Sequence, residues 1–230
     1  TIGLKELLVV YMKLVHSYSS IKDFEGCPRR FHTVRILKEF KSKDTEATLY
    51  GTAVHKALED YVQDGVEIPA KFSQFKKFAE PLANMEGVVY CERKMAITAD
   101  FRPAEFFGDD AWFRGIPDYL LVDEDKKTAF VVDYKTGKSS RYADRGQLEL
   151  MAAMVFVHHP EVEIVKGALL FLVVGDVIKA KYTRAELPEI LSKWAGRADG
   201  INAALTHGVW NPRPSALCKF CPVESCENHG

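Results

Sequence analysis

The sequence has no long hydrophobic run and no excess of charge of one sign. The longest apolar segments, residues 150–157 and 168–174, are much shorter than the roughly 18 residues that a membrane-spanning helix requires. Lysine and arginine number 31, and aspartate and glutamate number 32, which gives a formal net charge of −1. This balance excludes a protein that holds nucleic acid by its overall positive charge, so any such binding must depend on local patches.

Internal repeats and low-complexity linkers are also missing from the sequence. Its 47% hydrophobic and 27% charged residues are typical of globular proteins. The apolar segment at residues 1–11 contains Lys5 and Glu6 and has no cleavage site of small residues, so we expect a cytoplasmic protein with no membrane partner. Because Met12 precedes a new pattern, residues 1–11 are interpreted as an upstream segment, either native or introduced for expression.

Cysteine is scarce, and the odd number of five argues against a framework of disulfides. Three of the five, Cys218, Cys221 and Cys226, lie within nine residues at the carboxyl end. Thiolates at such close spacing are typical of a metal site, and a site with four ligands needs one more. The residues alone leave two candidates open, Cys27 near the amino end and His229, which would complete a local zinc site.

The spacing of apolar residues predicts one α/β domain that ends in a cysteine-bearing tail. Ser19 and Ser20 are predicted to cap a first helix that runs towards Cys27, and Pro28 is predicted to begin a second helix that reaches about Lys38. Further helices are predicted over Thr52 to Gly65, Phe72 to Leu82, Gly146 to Val157 and Leu187 to Leu205, and strands over Val88 to Thr98, Trp112 to Val122, Thr128 to Lys135, Val162 to Val174 and Val177 to Tyr182.

Two of these strands flank a short turn and predict a hairpin that is apolar on both faces, so helices must cover it. If the turn is centred between Asp125 and Lys126, Asp118 lies directly opposite Asp133. Opposed carboxylates repel each other unless a cation compensates them, and Lys135 projects from the same strand face as Asp133. Carboxylates beside a lysine favour a site where Mg²⁺ or Mn²⁺ assists phosphodiester hydrolysis, with a plain Asp–Lys ion pair as the alternative.

These residues resemble the PD-(D/E)XK nuclease superfamily. Its bipartite motif is similar to Pro117-Asp118 followed by Asp133-Tyr134-Lys135. The segment from Gly51 to His55 resembles a motif of the RecB-like branch, in which the histidine ligates metal, and the segment from Tyr18 to Phe31 resembles the amino-terminal signature of that branch. The resemblance implies a restriction-endonuclease-like core, with a mixed central sheet flanked by helices.

The resemblance also implies the roles of individual residues. Gln147 falls where the family carries a glutamine motif after its catalytic lysine, although Met151 stands where that motif usually ends in tyrosine. The implied catalytic residues are Asp118, Asp133, Lys135 and Gln147, and the implied ligands of Mg²⁺ or Mn²⁺ are His55, Asp118, Asp133 and the carbonyl of Tyr134, with Glu92 as a further candidate.

For His55 and Glu92, the sequence also allows a role in structure alone, without metal binding. His55 could be a histidine packed on a helix face, and Glu92 could be a solvated glutamate of a strand. Cys91 has no partner by pattern and is interpreted as an ordinary strand cysteine.

For the cysteines, the resemblance favours Cys27 as the fourth ligand. Nucleases of the AddB and CRISPR-associated Cas-four type hold a 4Fe–4S cluster with one distant amino-terminal cysteine and three at the carboxyl end. The corresponding set here is Cys27, Cys218, Cys221 and Cys226, with Zn²⁺ as the alternative to iron and sulfur. We therefore expect a nuclease domain over residues 12–210 and a cysteine cluster over residues 211–230 that closes onto Cys27.

The expected function is a metal-dependent DNA exonuclease acting on linear ends or single strands, in a bacterial, archaeal or phage-infected cell. Recombination, repair, phage DNA metabolism and CRISPR adaptation are the implied settings, with recombination or replication proteins as partners. A catalytically idle DNA-binding subunit and a restriction-type endonuclease are the alternatives. The residues expected to contact DNA are Arg29, Arg30, Lys138, Arg141, Tyr142 and Arg145.

Overall fold

The computed structural model describes residues 14–40 and 45–230. The described residues divide into two compact units, one formed by residues 14–40 with Ser192–Gly230 and the other by residues 45–191. The segment at residues 1–11 lies outside the described residues, and the predicted domain boundaries stay predictions. Within the described ranges, no helix is both long enough and apolar enough to span a membrane.

The described elements begin with a group of helices, continue with six successive strands, and end with a helix, two strands and a last long helix. A π-helix, His32–Ile36, follows the second helix, and short 3₁₀ helices lie at Ala70–Phe75, Arg184–Glu186 and Cys218–Phe220. The longer elements are α1 (Tyr18–Gly26), α2 (Pro28–Phe31), α3 (Glu46–Asp64), α4 (Lys76–Ala83), β1 (Val88–Cys91), β2 (Met95–Ile97), β3 (Pro103–Ala104), β4 (Phe113–Gly115), β5 (Tyr119–Asp123), β6 (Thr128–Lys135), α5 (Gly146–His158), β7 (Ile164–Phe171), β8 (Asp176–Thr183) and α6 (Leu187–His207).

A five-stranded mixed sheet with the order β1-β5-β6-β7-β8 forms the centre of the second unit. Strands β6 and β7 run parallel, and the other neighbours run antiparallel. In the β5–β6 hairpin, Tyr119 pairs with Val132 and Asp123 pairs with Thr128, which is the predicted register. The mixed sheet between helices confirms the predicted fold class.

Helices cover both faces of the hairpin, as its apolar residues require. On one face, Val54 and Leu58 of α3 belong to the same buried cluster as Tyr119, Leu121 and Val132. On the other face, α5 is buried along most of its length, and a Cβ added at Gly167 of β7 would lie only 3.2 Å from Leu148. The hairpin is therefore a rigid support for the side chains that follow its apolar residues.

Two of the predicted strands are wrong in extent, because each is divided between the main sheet and a small sheet with the order β3-β2-β4. The first run breaks at Glu92, whose φ of 49° is incompatible with a strand. The second run breaks before Asp118, because Pro117 has no N–H to donate to a ladder. Both breaks lie beside residues that were predicted from the sequence to bind metal.

Four helix boundaries also differ from the prediction. The helix predicted from Phe72 is a 3₁₀ helix as far as Phe75 and an α-helix only from Lys76. Helix α1 is capped by Ser17, whose side chain accepts a hydrogen bond from Ser20, so the predicted caps Ser19 and Ser20 are wrong. Helix α2 ends at Phe31, and the chain continues as a π-helix. Helix α3 begins at Glu46, ahead of the predicted Thr52, because Thr45 forms a capping box with polar residues that carry no apolar periodicity.

In the first unit, α1 packs against α6. Tyr18 meets Trp194 edge to face, with ring centroids 6.2 Å apart. Arg197 makes two hydrogen bonds to the carboxylate of Glu25, at 2.6 and 2.8 Å. An arginine that makes two hydrogen bonds to one carboxylate fixes both the position and the orientation of the two side chains. Helix α1 is therefore held by residues of α6.

Candidate active site

The β5–β6 hairpin brings Asp118 and Asp133 together. Asp118 immediately precedes β5, and extending the observed register by one residue places it opposite Asp133. Their exposed fractions are only 9% and 7%. Two carboxylates therefore lie side by side in a largely apolar setting, where their mutual repulsion is strong.

His55 and Glu92 complete a cluster around Asp118. His55, on α3, places Nδ1 3.0 Å from Asp118 Oδ1. In the described part of the chain, His55, Glu92 and Asp118 are the one set of three potential metal ligands whose donor atoms all lie within 4.8 Å of one another. The positive φ at Glu92 ends β1 and turns this residue out of the ladder, while its backbone N–H still donates to the carbonyl of Asp118 at 3.3 Å.

Asp133 faces a second group, formed by Lys135 and Gln147. Lys135 Nζ donates to Gln147 Oε1 at 2.8 Å, and Gln147 Nε2 donates to Asp133 Oδ1. Lys135 also forms an ion pair with Asp133 Oδ2. Gln147 lies in the first turn of α5, so the helix that covers this sheet face also fixes the lysine and the carboxylate.

The pKa values of the cluster reflect crowded, partly desolvated acids. Burial, then the charge of Asp118 and a hydrogen bond to it, raises the pKa of Glu92 to about 7. Burial raises the pKa of Asp133 to about 6, with Lys135 opposing the rise and Asp118 adding to it. Burial would lower the pKa of His55, but its hydrogen bond to Asp118 and the surrounding carboxylates raise it. Such a group of acids is stabilised by a cation.

The close approach of α3 to the end of β6 depends on Gly51. A Cβ at this position would lie 3.1 Å from Oγ1 of Thr136, the residue after Lys135. Contacts this short are rare for real side chains, so a glycine lets the helix bring His55 up to the strand end. Sequence reasoning identified the Gly51 motif but missed Thr136, for which the sequence gives no separate signal.

The residues present fit a divalent cation. Carboxylates are the ligands that Mg²⁺ and Mn²⁺ prefer, and His55 adds an imidazole nitrogen to them. Asp133 Oδ2 is buried and, within the described residues, accepts no hydrogen bond of good geometry, although Lys135 lies against it. This oxygen therefore keeps a lone pair for a further ligand.

A scan against protein-family models matches residues 15–226 to the PD-(D/E)XK nuclease superfamily. The match covers nearly the whole chain. The chain belongs to the PD-(D/E)XK nuclease superfamily. Membership implies a metal-dependent nuclease with DNA as its substrate.

One solved structure supports this fold. A candidate exonuclease from Eubacterium rectale matches with a TM-score of 0.53 and 19% identity over 95% of this chain and 89% of its own. The protein SSO0001 has a TM-score of 0.48 and 14% identity, covering 98% of this chain and 93% of its own. No curated protein matches the chain.

In this PD-(D/E)XK nuclease, the loop between β6, which ends at Lys135, and α5 carries four of the residues predicted to contact DNA. Lys138, Arg141, Tyr142 and Arg145 are all exposed. Tyr142 is 84% exposed, and the Arg141 guanidinium lies 5.6 Å from the centre of its ring. Lys135 precedes the loop and Gln147 follows it. Because both side chains contact Asp133, both ends of the loop are fixed beside this carboxylate.

The other two predicted DNA contacts, Arg29 and Arg30, lie on α2 in the first unit and line a cavity. Arg30 forms an ion pair with Asp23 at 3.4 Å. Because Asp23 partly neutralises its positive charge, Arg30 would attract a phosphate less strongly than the sequence suggested. Met151, the departure from the family's glutamine motif, is buried, and its sulfur would lie 2.8 Å from a Cβ at Gly115 of the small sheet.

The cavity beside Arg29 and Arg30 is lined by all four of the predicted cluster cysteines and by His229. Backbone N–H groups point at the sulfurs: those of Arg30 and Arg213 donate to Cys27 Sγ at 3.5 and 3.4 Å, and that of Ser215 donates to Cys218 Sγ at 3.3 Å. Arg213 and Ser215 were not identified from the sequence, since a backbone donor leaves no signal there. Cys91 belongs to β1 and does not line this cavity, and burial raises its pKa to about 11.

Proposed function

We propose that this PD-(D/E)XK nuclease is a metal-dependent exonuclease that hydrolyses phosphodiester bonds of linear or single-stranded DNA. The observation that carries the proposal is the meeting of Asp118, Asp133 and Lys135 at the open end of one hairpin. An idle DNA-binding subunit would have no need to keep two buried carboxylates beside a lysine, because their repulsion costs stability.

His55, Glu92, Asp118 and Asp133 are the side chains that would hold Mg²⁺ or Mn²⁺, with the carbonyl of Tyr134 as a further ligand. When bound, the cation stabilises negative charge on the phosphate and makes a nearby water more acidic. The hydrogen bond of His55 to Asp118 and that of Tyr134 N–H to the other oxygen of Asp118 hold this carboxylate in one orientation. Fixed ligands lose little freedom when a cation binds.

We assign to Lys135 the role of binding the phosphate and stabilising its charge. Its ammonium is held between Asp133 and Gln147, so it does not need to be ordered during the reaction. From there it donates hydrogen bonds to a non-bridging phosphate oxygen or to the attacking water, and it stabilises the charge that develops in the transition state. Gln147 orients both partners of this ion pair and acts as a positioning residue.

For the first unit, we propose a 4Fe–4S cluster held by Cys27, Cys218, Cys221 and Cys226, which would place the chain in the RecB-like branch of Cas-four or AddB type. The backbone N–H groups that donate to Cys27 and Cys218 suit sulfurs that carry negative charge, as thiolate ligands do. The resemblance of the cysteine pattern to that of the Cas-four and AddB nucleases favours the cluster, and zinc held with His229 is the alternative.

The experiment that tests the exonuclease is a time course on end-labelled linear DNA and covalently closed circular DNA, in single- and double-stranded forms, with Mg²⁺ or Mn²⁺. We expect loss of the linear substrates alone, and the position of the label then gives the polarity. Cleavage of circles would contradict the proposal in favour of a restriction-type endonuclease. No cleavage by protein with its full complement of metal would favour a DNA-binding subunit. The cytoplasmic location, the pathway and the protein partners stay predictions.

A further inference from the structure

Two phenylalanines and two cations form a cluster on the segment between β1 and β5, which we call the aromatic–cation cluster. It consists of Phe106, Phe107, Lys94 and Arg114. The two rings meet edge to face with centroids 5.0 Å apart. Lys94 Nζ lies 5.3 Å from the centre of the Phe107 ring, and the Arg114 guanidinium lies 5.5 Å from it. Phe107 is 74% exposed, which is unusual for so large an apolar side chain.

The cations of this cluster contact aromatic rings and form no ion pair in the described part of the chain. Within the described residues, neither Lys94 nor Arg114 forms an ion pair, and the buried Nε of Arg114 has no hydrogen-bond partner. Each cation lies 5.2 to 5.9 Å from the centres of the two rings. Two positive charges beside an exposed ring, with no ion pair to a described carboxylate, are complementary to a ligand that has both a flat apolar surface and negative charge.

The chain connects this cluster directly to the acidic site. Lys94 follows Glu92 by two residues, and Arg114 precedes Asp118 by four. At no more than about 3.6 Å per residue, their Cα atoms lie within about 7 Å and about 14 Å of the respective acids. The connection is rigid, because the neighbouring Gly115 packs against Met151 of α5, the helix that carries Gln147.

We propose that the aromatic–cation cluster is a stacking platform for unpaired bases of the DNA strand next to the scissile phosphate. Phe107 offers a ring face to a base, while Lys94 and Arg114 reach the flanking phosphates. Bases of a duplex are already stacked and paired, so the platform selects a single strand or a frayed end. The inference rests on the proposed nuclease function and adds to it the form of DNA that the site accepts.

The test measures binding without cleavage. A fluorescein-labelled deoxythymidine oligonucleotide is titrated with the protein in the absence of divalent metal, beside an oligonucleotide of the same length that carries abasic residues. Phe107→Ala is expected to weaken binding of the deoxythymidine probe by about 5- to 150-fold, the range typical of one base–aromatic stack. It should leave binding of the abasic probe unchanged. Because the ring is mostly exposed, the melting temperature should not change.

Lys94→Gln has a matched control in Lys166→Gln. Lys166 Nζ also lies over a phenylalanine, 5.0 Å from the ring centre of Phe130, but on the sheet face opposite Asp133. Removing Lys94 should reduce the dependence of binding on salt by about 0.7 in the slope of log affinity against log salt, as expected for one phosphate contact on a single strand. Removing Lys166 should not.

An equal effect of Phe107→Ala on both probes, or no effect on either, would overturn the inference, and the second result would point to a surface for a protein partner. Cleavage is assayed separately on the same oligonucleotide with Mg²⁺ or Mn²⁺. Binding that depends on Phe107 without any cleavage would support the platform and overturn the exonuclease. Cleavage of the linear oligonucleotide, together with unchanged binding in Phe107→Ala, would support the exonuclease and overturn the platform.

Discussion

Asp118 reaches across the hairpin to Tyr134: one carboxylate oxygen accepts the backbone N–H of Tyr134, and the other lies 3.0 Å from His55 Nδ1. The orientation of this carboxylate is therefore set by the hairpin and by α3 together. Asp133, on the opposite strand, is oriented by Lys135 and Gln147 instead. The two acids are held by different elements, so their roles can be separated by substitution.

Replacing Lys135 by methionine should separate catalysis from metal binding. We expect the cleavage rate to fall by about 100- to 10,000-fold, because the ammonium stabilises charge in the transition state. The affinity for Mn²⁺ should stay the same or rise, since a positive charge beside Asp133 is removed. Single-turnover cleavage and calorimetric titration with Mn²⁺ measure the two effects.

Lys126→Met is the matched control, because Lys126 also pairs with an aspartate of the hairpin, Asp123, at 2.8 Å, but at the turn. Its cleavage rate should equal that of the wild type. Loss of Mn²⁺ binding in Lys135→Met would contradict the role we assign to the lysine.

Replacing Gln147 by leucine should lower the maximal rate by about 10- to 100-fold, the usual cost of losing a residue that orients an active-site group. The KM for DNA should change little, because Gln147 holds Lys135 and Asp133 and is not assigned to the substrate. Steady-state kinetics on an end-labelled substrate separate the two constants. A rise in KM at unchanged rate would instead place Gln147 in the DNA-binding surface.

Replacing Cys27 by serine should remove the proposed cluster. We expect loss of iron, of acid-labile sulfide and of visible absorbance in protein purified without oxygen, together with a lower folded yield. Cys91→Ser is the control, because Cys91 lies in β1 and does not line the cysteine cavity. Protein that contains zinc and no iron would contradict the cluster, and metal content unaffected by Cys27→Ser would remove this residue from the site.

His16 should make folding sensitive to acid. Burial lowers the pKa of His16 to about 4, with Asp199 and Asn202 opposing the shift. In the unfolded chain the imidazole takes up a proton near its ordinary pKa of about 6.5, whereas in the folded chain it stays neutral until about pH 4. The unfolded state therefore binds more protons between these values, and stability falls as the pH falls through this window.

Between pH 7.5 and 5.0 the contribution of His16 amounts to about 2 kcal/mol of unfolding free energy. Urea unfolding at the two pH values measures it, with His16→Gln as the comparison. The wild type should lose about this much more stability than the variant on acidification. Equal losses in the two proteins would show that His16 is protonated in the folded state.

Much of the site could be predicted because a hairpin register follows from its turn. Centring the turn between Asp125 and Lys126 gave the observed pairing of Tyr119 with Val132, and with it the meeting of Asp118 and Asp133. Alternation along a strand then placed Lys135 on the face of Asp133. These are local relationships, and they depend on few residues.

The breaks in the strands could not be predicted in the same way. The left-handed backbone at Glu92 is imposed by its surroundings in the folded chain, since glutamate has no intrinsic preference for φ of 49°. Likewise, the polar capping box at Thr45 that starts α3 early is invisible to a search for apolar periodicity. The aromatic–cation cluster lies between the two breaks, which explains why its residues were not singled out in the sequence.

The most direct test of the central claim is the cleavage of linear DNA by Asp133→Asn in Mg²⁺ and in Mn²⁺, beside the wild type and Asp123→Asn. Asp123 is another aspartate of the same hairpin, paired with Lys126 and remote from the acidic cluster in the register. We predict that Asp133→Asn loses at least about 1,000-fold in rate, because the cation loses a charged ligand. Asp123→Asn should cleave like the wild type. Full activity of Asp133→Asn, or wild-type activity that survives removal of divalent metal by EDTA, would contradict the account.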